Sequence, residues 1–446
     1  MIKVITYGTF DLFHEGHKRI LERAKALGDY LIVGVTSDSF DIQRGKLNTH
    51  DSLVTRIEAV RASGFADEVI VEEYRGQKIH DILQYGVDIF TVGSDWEGKF
   101  DYLKQYCKVV YLDRTQGISS TDIRSRNTMK VGIVGTGSIA SRFVPESKFV
   151  TGLRIEGAYN PDTQKCDEFC ARFDIPYSAP SYEDLLRHCE VIYVASPHYT
   201  HYQYVKSALL RGRHVLCETP LVLEESQCRE LLELSRKTHS ALMLAHKTAY
   251  CPAFSQLMYL VKSGAIGDIV DINASVTTLT PETSEKMSRD KFGGSMNENA
   301  CFPLLPIIKL LGSDFKNLSF YSKFRKEVDI YTKAIFVYEG ATASFQVGLG
   351  AKTEGNLVIS GTKGYVYVPA PWWKTDYFEL RFEDQNKNRR LFFPFDGDGL
   401  RYELRTFVDA IQSGLHRRIV LNEDELLAMC RVQDLFLKGE NLTVLK

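Results

Sequence analysis

Gly8-Thr9-Phe10-Asp11-Leu12-Phe13-His14-Glu15-Gly16-His17 is the stretch on which the reading of this chain turns. Before it runs Ile2-Lys3-Val4-Ile5-Thr6-Tyr7, apolar, β-branched and of strand length. After it come Ile20, Leu21, Ala24 and Leu27, spaced along one face of a helix that Gly28 ends. The pattern predicts a strand-to-helix turn carrying two histidines, where free backbone N–H groups and the helix dipole favour an anion. Chemistry that splits a nucleotide between its phosphates needs such a place, because charge builds on phosphorus oxygens in the transition state. Two histidines at a turn also suit a plain solvated surface or a zinc pair. No Cys or further His lies nearby to complete a tetrahedral zinc set.

Working outward, three more blocks follow in order: Gly28-Asp29-Tyr30-Leu31-Ile32-Val33, Val92-Gly93-Ser94-Asp95-Trp96-Glu97-Gly98-Lys99-Phe100, and Arg114-Thr115-Gln116-Gly117-Ile118-Ser119-Ser120-Thr121. With Tyr7-Gly8-Thr9-Phe10-Asp11, His14 and His17, they make the stretch Ile2–Arg124 resemble the glycerol-3-phosphate cytidylyltransferases, within the wider HxGH nucleotidyltransferases. The resemblance implies a nucleotide site built from Tyr7, Gly8, Thr9, Phe10, Asp11, Gly93, Asp95, Arg114, Ile118, Ser119, Ser120 and Thr121. It implies that His14, His17, Lys46 and Arg124 act on the phosphates and that Arg56 holds the acceptor phosphate. Lys46 would reach in from a loop. Ser119-Ser120-Thr121 suits the outer phosphates at a helix start, though such a run is also an everyday N-cap. Asp11 is a possible Mg²⁺ partner of the bound nucleotide, a turn-forming Asp being the competing account. No general base is required, since a phosphate nucleophile is already mostly dianionic near neutral pH.

Composition frames this reading. A chain of 446 residues suggests two to four domains, and 44% hydrophobic with 25% charged residues is ordinary for a globular protein. A net charge of −2 argues against nucleic-acid or membrane-surface partners. There is no apolar run of membrane-spanning length, and Met-Ile-Lys leads straight into a strand, which predicts a cytoplasmic chain without a leader. Nine scattered cysteines without a Cys-x-x-Cys pair read as reduced thiols.

After Ile123-Arg124 comes polar Ser125-Arg126-Asn127-Thr128, then Lys130-Val131-Gly132-Ile133-Val134-Gly135-Thr136-Gly137-Ser138-Ile139-Ala140. That is a strand entering Gly-x-Gly-x-x-Ala, the turn that admits a pyrophosphate at a helix N-terminus. A second strand, Ile155-Glu156-Gly157-Ala158-Tyr159, ends at Asn160 where a ribose-binding acid normally stands, leaving NAD or NADP open. Downstream, Ala195-Ser196-Pro197-His198-Tyr199-Thr200-His201, Gly212-Arg213-His214-Val215-Leu216-Cys217-Glu218-Thr219-Pro220, Gly293-Gly294 and Ile359-Ser360-Gly361-Thr362-Lys363-Gly364 resemble the Gfo/Idh/MocA oxidoreductases. The resemblance implies an α/β chain with three parts: a Rossmann-like transferase domain over 1–127, a dinucleotide-binding Rossmann domain over 129–249, and an α/β domain with a large, mostly antiparallel sheet over 250–446. It implies dinucleotide contacts from Gly135, Gly137, Ser138, Ile139, Asn160, Ser196, His201 and Glu218. The sheet face that is often a subunit interface implies a homodimer or homotetramer.

Two departures stand out. The family's Glu-Lys-Pro lysine is Thr219, and its substrate-side His or Tyr is Phe302. Reducing a carbonyl needs a proton donor at the developing alkoxide. Lys247 is the candidate for a displaced donor, with His246 and Tyr250 behind it, and a solvated lysine is the competing account. Three readings follow. The chain makes a CDP-polyol from CTP and a polyol phosphate, with a reductase supplying that phosphate. Alternatively, the C-terminal part only binds and oligomerises. The third reading is nucleotidyl transfer to another small phosphate such as choline or ethanolamine phosphate, against which the Trp96-Glu97-Gly98-Lys99-Phe100 block argues.

Overall fold

Lys3–Gly8, the β-branched run before the two histidines, forms strand β1, and Glu15–Lys25 after them forms helix α1. The computed structural model describes residues 1–43, 49, 51–74, 76–113, 128–394, 396–413 and 420–446. The chain forms two compact units, Met1–Thr128 with Phe149–Gly152, and Met129–Lys148 with Leu153–Lys446.

In the first unit, β1, β2 (Tyr30–Thr36), β3 (Glu68–Glu72), β4 (Ile89–Gly93) and β5 (Lys108–Leu112) form a parallel sheet in the order β3-β2-β1-β4-β5. Side chains alternate between its faces. Val4 joins Leu21, Ala24, Leu31 and Val33 in one core layer, while Ile5 and Tyr7 join Ile32, Ile82 and Phe90 in the other. Both faces are covered, which is why these strands read as continuous apolar runs. The chain reverses its direction of strand addition between β1 and β4. In open α/β sheets the crevice at the carboxyl ends of such a strand pair binds ligands.

The second unit carries the same logic and a second sheet. β6 (Met129–Val134), β7 (Leu153–Tyr159), β8 (Tyr177–Ser178), β9 (Val191–Val194), β10 (His214–Glu218) and β11 (Leu242–Ala245) lie in the order β11-β10-β9-β6-β7-β8, all parallel. Their switch point lies between β6 and β9. A nine-stranded sheet follows, with β12 (Ile269–Thr277) inside it. Six of its eight pairings are antiparallel. The two parallel ones join Ile269–Thr277 to Thr342–Gly348 and Asn317–Arg325 to Leu442–Val444. The late helix Leu400–Ser413 returns to the parallel sheet and packs on helix Ser138–Ser147 and on the short helix Lys247–Tyr250. A buried ion pair fixes that return, Arg401 donating from Nε (3.0 Å) and Nη2 (2.6 Å) to the two Glu146 oxygens. All nine cysteines are free thiols, and among the described residues no helix is long and apolar enough to cross a membrane.

Candidate active sites

The switch-point crevice of the first unit gathers the turn after β1 and the turn after β4. His14 caps α1: its extended backbone turns the ring so that Nδ1 accepts from the Gly16 N–H at 3.0 Å. His17, three residues on, accepts at Nδ1 from the His14 N–H at 3.4 Å, closing a reciprocal cap. The rings stack with centroids 4.0 Å apart, and Phe10 and Phe13 each pack against His17 at 5.5 Å. Because each Nδ1 is an acceptor, each neutral ring carries its proton on Nε2. The helix start therefore offers two imidazole N–H donors of fixed tautomer at its positive end. The loop that delivers them holds Phe10 at φ 54° and Leu12 at φ 49°, left-handed conformations that side chains disfavour. Such strain persists where surroundings over-determine it, commonly at functional sites.

Those surroundings are specific. Asp11 is buried and accepts the Asp51 N–H at 2.9 Å, while the Asp51 carboxylate accepts the Leu12 N–H at 3.0 Å. Thr9 donates from its hydroxyl to Asp41 at 3.1 Å. Arg56 is wholly buried, and donates to the carbonyls of Thr9 (2.7 Å), Thr36 (2.8 Å) and Asp51 (3.1 Å) and to the Asp38 carboxylate. Four of its five N–H groups thus hold the histidine loop to the end of β2, which is a brace's position. The Tyr7 ring lies over Gly34, where a methyl group would come within 2.2 Å of it, and its hydroxyl donates to Asp81 at 2.8 Å. Burial, then the neighbouring Asp81 carboxylate, pushes that phenol far above its usual range. Gly8 leaves room for the Phe10 ring, which a methyl group there would meet at 3.0 Å. Gly93 ends β4 beside Ile20 of α1, and Asp95 follows on an exposed turn. Lys46, Arg114, Ile118, Ser119, Ser120, Thr121 and Arg124 lie outside the described residues.

In the second unit, a cleft of about 720 Å³ runs along the switch point. Gly135, Gly137, Ser138, Ile139, Asn160, Ser196, His201 and Glu218 all line it, so the residues expected to contact a dinucleotide converge. Gly135 sits at φ 94°, and a methyl group there would lie 2.6 Å from the Ala195 carbonyl oxygen. Gly137, at the start of the helix Ser138–Ser147, would point its methyl group into open space. The first glycine shapes the turn and the second keeps a ligand's approach clear, which fits a pyrophosphate at the helix start. Asn160 braces the same turn, donating to the Thr136 hydroxyl at 2.7 Å and accepting from the Asp162 N–H at 2.9 Å. His201 is enclosed, its ring nitrogens 2.8 Å from the carbonyls of Pro220 and Ser196, and burial lowers its pKa to about 4. It therefore positions the turns after β9 and β10. Glu218 accepts from Tyr193, and burial raises its carboxyl to about 7.

Residues 5–126 match the cytidylyltransferase-like family. Over 124 residues the chain is 54% identical to the glycerol-3-phosphate cytidylyltransferase of Bacillus spizizenii, covering 28% of this chain and 95% of that enzyme. The Staphylococcus aureus enzyme of the same name is 46% identical over 126 residues, covering 28% and 93%. The chain belongs to this family. Residues 129–246 match the oxidoreductase family with an NAD-binding Rossmann fold, and residues 254–367 match the GFO/IDH/MocA C-terminal domain. The trans-1,2-dihydrobenzene-1,2-diol dehydrogenase of Xenopus laevis is 26% identical over 313 residues, 67% of this chain and 94% of that one. A 3-ketoreductase from Actinomadura kijaniata, solved with NADP and TDP-benzene, shares the fold at a TM-score of 0.65 and 21% identity, over 72% of this chain and all of that one. The chain is a cytidylyltransferase domain fused to a GFO/IDH/MocA oxidoreductase domain.

Within the oxidoreductase domain, the position of the missing lysine can be read from strand register. Glu218 of β10 pairs with Ala245 of β11 in parallel, so Thr219 and His246 leave the sheet side by side and Lys247 follows one residue later. Neighbouring strands lie about 4.8 Å apart, within reach of a lysine side chain. The Lys247 ammonium donates to the Asp398 carbonyl at 3.0 Å. Burial lowers its pKa, and the nearby Lys374 and Arg142 lower it further. His246 is buried against the Cys301 carbonyl at 3.0 Å and its ring meets Phe302 edge-on, with burial lowering its pKa to about 4. Tyr250 is buried too, its phenol pushed far up by burial. Of the three alternatives, Lys247 alone is partly open to solvent. Sequence reading missed Glu403, a wholly buried carboxyl on the late helix beside Glu218 and Lys247, because nothing in the chain's spacing signals that return.

Proposed function

We propose that the chain is bifunctional: it reduces a ketose phosphate to a polyol phosphate and couples that product to CTP, giving a CDP-polyol of the CDP-glycerol kind and pyrophosphate. The observation that carries the transferase half is the stacked His14–His17 pair at the switch point, in a segment about half identical to glycerol-3-phosphate cytidylyltransferases. A polyol phosphate oxygen attacks the α-phosphorus of CTP, the bond from that phosphorus to the bridging oxygen breaks, and pyrophosphate leaves. His14 and His17 donate from Nε2 to the α-phosphate oxygens as charge develops. Lys46 and Arg124 neutralise the outgoing phosphates, with Ser119, Ser120 and Thr121 around them. Gly8, Thr9, Phe10, Asp11, Gly93, Asp95, Arg114 and Ile118 frame the nucleotide. Magnesium enters with the triphosphate, whose oxygens supply most of its ligands.

In the oxidoreductase half a nicotinamide dinucleotide supplies the hydride when bound. Gly135, Gly137, Ser138 and Ile139 take its pyrophosphate. Asn160 in place of an acid, with Lys165 in the same cleft, favours the 2′-phosphorylated form. Lys247 gives its proton to the carbonyl oxygen. A second reading, in which this half binds without reducing, draws on Thr219 and Phe302, neither of which can give up a proton readily.

The test offers CTP and Mg²⁺ with a panel of polyol phosphates and follows pyrophosphate release, then offers the matching ketose phosphates with NADH or NADPH. Turnover of choline phosphate in preference to every polyol phosphate overturns the first half. Dinucleotide binding without reduction of any ketose phosphate overturns the second.

A further inference from the structure

Arg142 and Lys247 stand near Glu218, one wall of the dinucleotide cleft, and Lys374, on a third element, stands near Lys247. Asp398 joins two of them: its carbonyl accepts from Lys247 at 3.0 Å and its carboxylate lies 3.8 Å from Arg142. The third is brought alongside by the backbone, because the Thr248 hydroxyl donates to the Trp373 carbonyl at 2.9 Å and so sets residues 373–374 against 247–248. Lys374 is exposed, and the Arg142 side chain is 41% exposed, so the cluster opens to solvent.

The local charge does not balance. Burial pushes Glu403 well above the ordinary carboxylate range and Glu218 up to about 7, so neither is a full counter-ion near neutral pH. Asp398 is left as the ionised partner of Lys247 and Arg142, with Lys374 a third cation close to Lys247. The depression of Lys247 by Lys374 and Arg142 is the same imbalance seen from the ammonium. Like charges held together in a folded protein are relieved by a multivalent anion, and an arginine fork with lysine point charges suits a phosphate.

We infer that Arg142, Lys247 and Lys374 form a subsite for a phosphate monoester, the charged end of a short ketose phosphate. The inference rests on the proposed reductase reading and names what that site recognises. Lys247 is then both a wall of the phosphate subsite and the proton donor. That requires the carbonyl to lie within a few bonds of the phosphate, as in a three-carbon ketose phosphate. Arg142 and Lys374 are specificity residues that touch only the phosphate.

Residue-resolved lysine acetylation on the full chain tests this without interference from phosphate binding in the transferase domain. Inorganic phosphate or dihydroxyacetone phosphate at millimolar concentration should slow acetylation of Lys247 and Lys374 at least threefold, and glycerol should not. Arg142→Gln, at a half-exposed position where folding is not at stake, should raise the phosphate concentration for half protection about tenfold. Equal acetylation with and without phosphate overturns the subsite, and protection by a CDP-linked polyol but by neither inorganic phosphate nor dihydroxyacetone phosphate overturns its assignment to a monoester. NADPH binding, followed by fluorescence in the same samples, separates the two claims. Binding without protection leaves the reductase reading standing and removes the subsite. Protection without any reduction of dihydroxyacetone phosphate keeps the subsite and removes the reading.

Discussion

Replacing Arg56 tests whether this guanidinium is a brace or an acceptor contact. Arg56→Ala removes hydrogen bonds to the Thr9, Thr36 and Asp51 carbonyls and the pairing with Asp38 and Asp41. Breaking a buried ion pair by deleting one partner costs about 3–5 kcal/mol. Asp38 is half exposed and rehydrates, whereas Asp41 is 1% exposed and does not, so the lower half of that range applies to the charges. The stranded buried carbonyls add about 1 kcal/mol or more. A total of about 4 kcal/mol is a large share of a domain's stability of roughly 5–15 kcal/mol. With a urea slope of about 2 kcal/mol/M, the unfolding midpoint of the transferase domain should fall by about 2 M. Hydrogen exchange of peptides spanning residues 3–36, measured against urea, reads that domain selectively. Arg56→Lys keeps a cation but not the three carbonyl bonds, and should lose about half as much while staying folded at low urea. A midpoint within about 0.3 M of wild type, together with a raised KM for the polyol phosphate, would refute the brace and restore Arg56 to the acceptor site.

Three further outcomes are expected. His17→Ala should lower nucleotidyl transfer at least about a hundredfold, some 3 kcal/mol of transition-state stabilisation, while the domain stays folded, the lost cap costing only about 1 kcal/mol; steady-state pyrophosphate release reads it, and a loss of only a few-fold removes His17 from the chemistry. Gly137→Ala should fold normally, since its methyl group meets open space, yet weaken dinucleotide binding at least about tenfold by calorimetry. Gly135→Ala instead strains the turn itself and should lower the melting temperature as well. Lys247→Ala should abolish ketose phosphate reduction and spare dinucleotide binding. The reactive form is the protonated lysine, and its pKa is lowered in the free enzyme, so kcat/KM for reduction should fall as pH rises at a lower pH than an ordinary lysine sets. A rate flat to about pH 10.5 contradicts that proton donor.

Much of the fold was legible because local and global signals agree. Val4 to Tyr7 alternate between two buried layers, His14 and His17 occupy the two reciprocal positions of a helix cap, and Gly135 fills a left-handed turn no other residue fits. Those are short-range constraints that spacing encodes. Arg56 was less legible. A cationic residue in a nucleotidyltransferase-like segment reads as a phosphate ligand, and only the packing of Thr9, Thr36, Asp38 and Asp51 around it reveals a buried clamp. Asn160 likewise reads as a ribose contact, while its amide is engaged with Thr136 and Asp162. The Asp398 and Glu403 contributions come from the late helix and the turn before it, Asp398 lying 151 residues beyond Lys247, an association set by tertiary packing.

The loss of the Glu-Lys-Pro lysine looks, in the sequence, like the loss of a proton donor. The parallel register of β10 and β11 gives it another meaning. A side chain from the end of β11 enters the same space as one from the end of β10, since the two strands finish level at Ala245 and Glu218. What changes is the company the ammonium keeps. On β10 it would follow Glu218 directly. As Lys247 it is held by Asp398, is crowded by Arg142 and Lys374, and shares its surroundings with a second buried carboxyl at Glu403. Crowded cations lower the energy needed to release a proton, and they attract an anion that restores it. A substrate carrying its own dianion near the carbonyl would recharge the donor as it binds. Thr219, uncharged, lines the cleft beside Glu218 and adds no charge of its own there. In the proposed bifunctional reading the same phosphate is the group that attacks CTP, so one recognition feature would suit the substrates of both reactions.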